Sequence, residues 1–499
     1  LRFFQASDLM GNDTLRSSGI ATQLLAASTV SEDPEYIDSN SISLFSSGES
    51  FTSARPRGDS ALAVDTTVNR PSPAVWAANA DSAANADSAA NADSAATAHR
   101  AVNPVRAANA DSLSVAVHPL QYAGGDPSIL YPFFNRLDRL KSGRVRDARI
   151  LHYGDSQIEN DRMTSLVRYR LQLGFGGTGT GLVQAIPLYS GSLAYNQEEE
   201  GEWLRYTFFG KRDSTIRHKN YGVMGAFASI PAPEGEGWPM LRYSFNTSRR
   251  AGQCSRIRIF LHSYVEDAAV AFRVNGAFSD TLSGLPGGFS VADFNYPGKV
   301  EEVEIRFRMP KGGRIYGISF ESDKGLQMDN IAMRGGSGLI FSRMDRQHQH
   351  EMMELLDPGL IILQFGGNVV PYLDADYYRR AFIRELRFLR TISPGTPVIV
   401  VGPSDMSVRE RGRLVTHPGV EQIRDALREA ALQSGCAFWD LFEAMGGYNS
   451  MPSFVEADPQ LASTDYVHFT LLGVNLVAEM FYNALMMAYT EYSTSTASL

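Results

Sequence analysis

The chain has 499 residues, too many for one ordinary hydrophobic core, so two folded units plus unstructured sequence is the expected organisation. Its 46 basic and 55 acidic side chains leave a net charge of −9, which argues against a protein built to coat nucleic acid or an anionic membrane. The two cysteines, Cys254 and Cys436, lie far apart without metal-type spacing and give neither a disulfide framework nor a zinc site. No run approaches the ~18 to 20 apolar residues expected of a membrane-spanning helix, so none is predicted. No signal-like run is visible at the start either.

Residues 1–124 are rich in Ser, Ala, Asn and Asp and poor in aromatic side chains, a composition that predicts a largely unfolded segment. Within it the hexamer Ala-Ala-Asn-Ala-Asp-Ser repeats over residues 77–94 and returns at 107–112. A period of six fits neither a helix nor a strand face, and a spacer is the simplest reading. From residue 125 the texture changes. Residues 131–140 carry apolar side chains at helical spacing, 148–153 form a short apolar run ending at Gly154, and 161–173 place Met163, Leu166, Val167 and Leu171 on one helical face. Helix, buried strand, tight loop and helix open an α/β unit.

Alternation replaces helical spacing from about residue 190 to 325. Ile257, Ile259 and Leu261, then Val303, Ile305 and Phe307, alternate with polar or exposed positions, and Asn275-Gly276 and Gly287-Gly288 supply turns. An inserted antiparallel β-sandwich of jelly-roll type is expected. The α/β texture then resumes over 326–491. Strands are predicted at 360–365, 397–401 and 436–439, alternating with helices at 343–356, 378–391 and 420–433, and a final amphipathic helix at 471–489. The α/β domain is thus discontinuous, 125–189 and 326–491, with 492–499 a flexible tail.

Four stretches carry chemistry. Gly154-Asp155-Ser156 sits between the first strand and the next helix, where open α/β sheets place their ligands, so Ser156 is a candidate nucleophile whose N–H points into the same crevice. Gly58-Asp59-Ser60 repeats the tripeptide with no strand before it, so context carries the signal. Asp465 and His468 are three apart in a turn, which lets the carboxylate hold one ring nitrogen while the other faces a hydroxyl. Gly366-Gly367-Asn368 follows a strand and offers a neutral N–H donor from Asn368, and the stretch from Asp329-Asn330 to Gly335-Gly336-Ser337-Gly338 is placed after the second strand, where it can present a backbone N–H. His348 and His350 are two apart in a predicted helix, a poor metal pair expected to face solvent, and no metal is assigned.

In this order the four stretches resemble the blocks of the SGNH (GDSL-type) hydrolase family, over about residues 126–189 and 327–489. The resemblance implies a flavodoxin-like α/β/α domain and ester hydrolysis through an acyl-serine, without a cofactor. It implies Ser156, His468 and Asp465 as a triad, and Ser156 N–H, Gly338 N–H and the Asn368 side chain as oxyanion donors, with Gly336 the alternate to Gly338. Val369 replaces the acidic residue that often follows the family Asn, and Gln157 stands where many members have Leu or Ser.

A β-rich block inserted after the first helix is also similar to the arrangement in bacterial peptidoglycan O-acetylesterases and related carbohydrate esterases, whose extra module resembles carbohydrate-binding domains. That likeness implies an O-acetylated glycan as substrate, peptidoglycan or another cell-envelope or plant glycan, and a periplasmic or extracellular location. Trp203, Tyr206 and Trp238 are then candidates to stack on sugar faces, although aromatic residues in such strands are more often core. Two rival readings share these residues: an O-acetyltransferase using the same triad, and a catalytically inactive polysaccharide-binding surface protein.

Overall fold

The computed structural model describes residues 117–188, 192–232, 237–372 and 374–497. Residues 1–116, with both sets of repeats and Gly58-Asp59-Ser60, lie outside the described residues.

Five parallel strands organise the α/β unit: β1 (Asp147–Gly154), β2 (Gly325–Ala332), β3 (Pro358–Gln364), β4 (Val398–Val401) and β5 (Ala437–Trp439). Their spatial order is β2-β1-β3-β4-β5, the doubly wound order of flavodoxin-like sheets, with the switch point between β1 and β3. β3, β4 and β5 read as near-continuous apolar runs because both faces are covered, whereas β1 and β2 carry buried polar side chains such as Arg149 and Asp329. Ile150, Leu360, Ile362 and Val401 pack on one side with helices α1 (Tyr131–Lys141), α2 (Arg162–Phe175) and α6 (Leu471–Ala497). Their neighbours Leu151, Tyr153, Ile361, Leu363 and Val400 pack on the other with α3 (Arg346–Leu356), α4 (Ala375–Ile392) and α5 (Gly419–Gln433). Period two along each strand thus feeds two separate cores, at roughly 1.5 to 3 kcal/mol for each large side chain fully buried.

Between α2 and β2 the chain builds two antiparallel sheets, of six and five strands. Leu241, Tyr243, Ile257, Ile259, Phe272, Ile305 and Phe320 form one core from residues of both. The first strand of this block is Gly181–Val183, paired with Gly313–Glu321, so the block begins earlier than the expected residue 190. It is not a separate bead. Phe208, Tyr221, Phe227, Phe260 and Tyr316 join the core that lies against β1, β3 and α3. Arg149 on β1 is buried with two carboxylates, Asp329 of β2 at 2.7 Å and Glu321 of the inserted block at 2.5 Å. Burial opposes the guanidinium charge, but Asp329 and Glu321 outweigh it and hold Arg149 above its usual range. The same Asp329 accepts the Leu182 N–H at 2.8 Å, tying the start of the insertion to the sheet.

Several expectations need correction. Asp329 and Asn330 lie inside β2 and not after it. His348 does not face solvent: it is 4% exposed, with its ring 4.3 Å from Tyr316 and 4.9 Å from Phe289, and burial pushes it down to about 4. His350 is half-buried, its Nδ1 2.9 Å from the Ile392 carbonyl. Folded structure starts before residue 125, since Leu120 is buried and Gln121 pairs with Phe438. At the other end α6 continues to Ala497, so residues 492–497 are helical and not a loose tail. That helix is long and apolar enough to cross a membrane, with mean hydropathy 1.4 over its most apolar stretch, contrary to the expectation that no run approaches this; 56% of that stretch is buried against the protein.

Candidate active site

The carboxyl ends of β1, β2 and β3 and the loop before α6 converge on Ser156. Gly154 ends β1 where no side chain fits: a Cβ there would lie 2.9 Å from Ile158 Cδ1 and 3.0 Å from the Gln364 carbonyl. The chain then turns, and Asp155 caps a short 3-10 segment (Ser156–Asp161) by accepting the Gln157 N–H at 3.0 Å. The α-helix itself starts only at Arg162, so the nearest backbone donors to Ser156 belong to the 3-10 turn and not to α2.

Ser156 Oγ lies 3.0 Å from His468 Nε2, and His468 Nδ1 lies 2.7 Å from Asp465 Oδ2. The second Asp465 oxygen accepts the backbone N–H groups of Val467 at 2.9 Å and His468 at 3.0 Å. One carboxylate therefore folds the turn and orients the ring. Burial works against its charge, but the His468 ring and the two N–H donors outweigh burial and hold the Asp465 carboxyl below the usual carboxylate range. The three predicted residues, 312 positions apart at their extremes, are brought into one hydrogen-bonded chain.

Asn368 stands on a turn that opens with Gly366, whose φ of +129° suits glycine alone. Its Nδ2 donates to Asp155 Oδ2 at 3.1 Å and, at the longer distance of 3.3 Å, to the Gly336 carbonyl. The Gly336 N–H is engaged at 2.7 Å with the Met333 carbonyl. Gly338 follows two residues later with φ of +75°, where a Cβ would lie 2.9 Å from Phe365 and 3.0 Å from Phe382. Val369, the departure from the family pattern, is buried in the core of α4 and α5.

Sequence reasoning passed over the residues that hold this arrangement. Asp155 is 3% exposed, and burial pushes its carboxyl up to about 6 against the opposing Gln157 N–H, His468 and Asn368. Gln157 Nε2 donates to the Val467 carbonyl at 2.8 Å and so ties the serine loop to the histidine loop. Asn330 Nδ2 reaches the Ile158 carbonyl at 2.9 Å and Thr164 Oγ1 at 2.6 Å, and Thr164 Oγ1 is 2.9 Å from the fully buried His152. The one visible signal was Gln157 itself, a long polar side chain beside the serine where Leu or Ser is common.

The ring contacts of Trp203, Tyr206 and Trp238 lie within the antiparallel block. Trp203 packs edge-on to Phe307 at 5.5 Å, Tyr206 against Phe227 at 5.2 Å, and Trp238 lies under the Arg308 guanidinium at 6.0 Å. Cys254 and Cys436 are both free and buried, and burial pushes each thiol up to about 12.

Residues 319–476 match the model of the GDSL-like Lipase/Acylhydrolase family. The match begins within the last strand of the antiparallel block (Gly313–Glu321), so it contains Gly338, Asn368, Asp465 and His468 but not Ser156. No curated protein sequence matches the chain. Among solved structures, one described as a peptidoglycan O-acetylesterase in action is 20% identical and superposes over 72% of this chain and 96% of its own, with a TM-score of 0.60. Family two carbohydrate esterases from Cellvibrio japonicus (9% identity, 59% of this chain, 99% of that one, TM-score 0.25) and from Clostridium thermocellum in complex with cellohexaose (10%, 58%, 100%, 0.24) match far more loosely. The first likeness is one of fold, and the other two are too loose in geometry to add to it.

Proposed function

We propose that the chain, whose residues 319–476 match the GDSL-like lipase/acylhydrolase family, is a serine esterase removing O-acetyl groups from a carbohydrate polymer, peptidoglycan or another cell-envelope or plant glycan. The observation that carries this reading is the chain from Ser156 Oγ to His468 Nε2 at 3.0 Å and from His468 Nδ1 to Asp465 at 2.7 Å. In the reaction His468 takes the Ser156 proton as Oγ attacks the acetyl carbonyl. The same imidazolium then returns the proton to the departing sugar oxygen, and water, deprotonated by His468, releases acetate from the acyl-serine. Charge on the former carbonyl oxygen is met by the N–H groups of Ser156 and Gly338 and by Asn368 Nδ2. Two distances support this assignment: the Gly336 N–H is engaged with Met333, and the longer Asn368 contact, to the Gly336 carbonyl, is the one an incoming oxyanion replaces.

The two antiparallel sheets are read as a carbohydrate-binding-like sandwich that faces the glycan, and a periplasmic or extracellular location follows from such a substrate. An assembled nucleophile, base and orienting carboxylate speak against an inactive surface protein. Ser156→Ala is expected to lower turnover of p-nitrophenyl acetate and of an O-acetylated glycan on the order of 10⁴-fold or more while leaving the unfolding midpoint in place. Retained activity in this variant contradicts the proposal, and an acetylated sugar product in place of acetate marks the enzyme as a transferase.

A further inference from the structure

The amide of Gln157, the residue after Ser156, is satisfied at one end only. Its Nε2 donates to the Val467 carbonyl at 2.8 Å, while its Oε1 is buried without a hydrogen-bond partner. An acceptor stripped of water and left unpaired costs the fold stability, and an apolar side chain of similar length carries no such cost. A destabilising amide beside a nucleophile therefore needs a reason outside stability.

The bond to Val467 supplies that reason. The Val467 carbonyl and the His468 N–H belong to one planar peptide unit. Its N–H end is held by Asp465 Oδ1 at 3.0 Å, and its C=O end is held by Gln157. A plane held at both ends limits the directions in which the His468 side chain can leave the backbone, and so limits where Nε2 stands relative to Ser156 Oγ, 3.0 Å away. Gln157 is anchored in turn, because its own N–H donates to Asp155 Oδ1 at 3.0 Å. Other ties shape or dock the same turn: Ser463 N–H reaches the His468 carbonyl at 2.7 Å, Tyr466 N–H reaches the Ser463 carbonyl at 3.0 Å, and Ser407 N–H reaches the Tyr466 carbonyl at 3.1 Å. None of these three starts from the serine loop, whereas the Gln157 bond sets the spacing of the two loops directly.

We propose that Gln157 is a positioning residue for the Ser156–His468 pair, acting through the Val467 carbonyl and kept at a cost to stability. What the pair does with that placement rests on the esterase reading above. The test compares the full chain with Gln157→Met, which keeps the length and unbranched shape of the side chain without its donor, and with Gln157→Leu. In both variants kcat for p-nitrophenyl acetate is expected to fall about 10- to 10²-fold with KM within about twofold of the parent, since a misplaced base slows chemistry more than binding. The urea midpoint is expected to stay in place or rise, because loss of a bond to half-buried Val467 is offset by removal of the unpaired acceptor. An unchanged kcat, a loss confined to KM, or a kcat that falls together with the midpoint overturns the proposal. Hydrogen exchange adds a readout that does not depend on ester hydrolysis. The Tyr466 and His468 amides are expected to exchange at least about tenfold faster in Gln157→Met while those of α6 keep their rates, and unchanged exchange at these two amides overturns the proposal as well. If Ser156→Ala leaves p-nitrophenyl acetate hydrolysis intact, the esterase reading fails, and the exchange rates still decide whether Gln157 holds the histidine loop.

Discussion

The two ends of the Ser156–His468 contact are held in different ways. On the serine side the loop is locked from below: Asp155 is 3% exposed and bonded to Gln157 and Asn368, while Asn330 and Thr164 pin the Ile158 carbonyl region to the sheet. On the histidine side the supports lie nearer to solvent. Asp465 and His468 side chains are 27% and 20% exposed, and the short loop before α6 is tied by Asp465, by the Ser463 N–H to His468 carbonyl bond at 2.7 Å and by Gln157. Ser156 thus inherits its place from the parallel sheet, whereas the His468 ring is oriented by one carboxylate that does two jobs.

The largest expected effect breaks the weaker end. Asp465→Ala removes both the ring partner and the two backbone caps of the turn, so activity on p-nitrophenyl acetate is expected to fall on the order of 10³ to 10⁴-fold, still at least tenfold less than for His468→Ala because the imidazole remains. Equal losses in the two variants would contradict that division of labour. A smaller effect is expected at the buried end, where Asn368→Ala removes one of the three proposed oxyanion donors and should cost on the order of 10² to 10³ in kcat with KM little changed. A loss seen only in KM would move Asn368 from transition-state stabilisation to ground-state binding.

The smallest effect concerns pH. Because burial raises the Asp155 carboxyl to about 6 from an ordinary value near 3.8, the folded state binds this proton more tightly than the unfolded chain. Stability contributed by the protonated carboxyl is therefore present at low pH and is lost as pH rises through the window from about 4 to about 6. Asp155→Asn is expected to flatten unfolding stability across that window, as urea midpoints at a series of pH values will show, and an unchanged slope would mean that the carboxyl ionises normally in the fold.

Much of the α/β unit was legible because its strands are apolar on both faces and its helices follow period 3.6: β1 was expected at 148–153 and runs Asp147–Gly154, and α5 was expected at 420–433 and runs Gly419–Gln433. Ser156, Asp465, His468 and Asn368 were legible as motifs because each follows a strand or precedes a helix that periodicity could place. What escaped was long-range and polar. Nothing local announces that Arg149 meets Glu321 and Asp329, that Gln157 reaches Val467, or that His348 enters an aromatic pocket of the insertion, since these partners lie from tens to hundreds of residues apart and periodicity records only which face a side chain occupies. The aromatic residues nominated for sugar contact show the converse, for Trp203 and Tyr206 were visible as residue types but their orientation was decided by the packing of Phe307 and Phe227.

The central claim is that Ser156 is an activated nucleophile, and a fluorophosphonate probe tests it without any assumption about the glycan. Peptide mapping after labelling should find the adduct on Ser156 alone, with labelling slowed strongly in His468→Ala, where the 3.0 Å partner of the hydroxyl is gone. Labelling of another serine, or of Ser156 at the same rate without His468, would contradict the account.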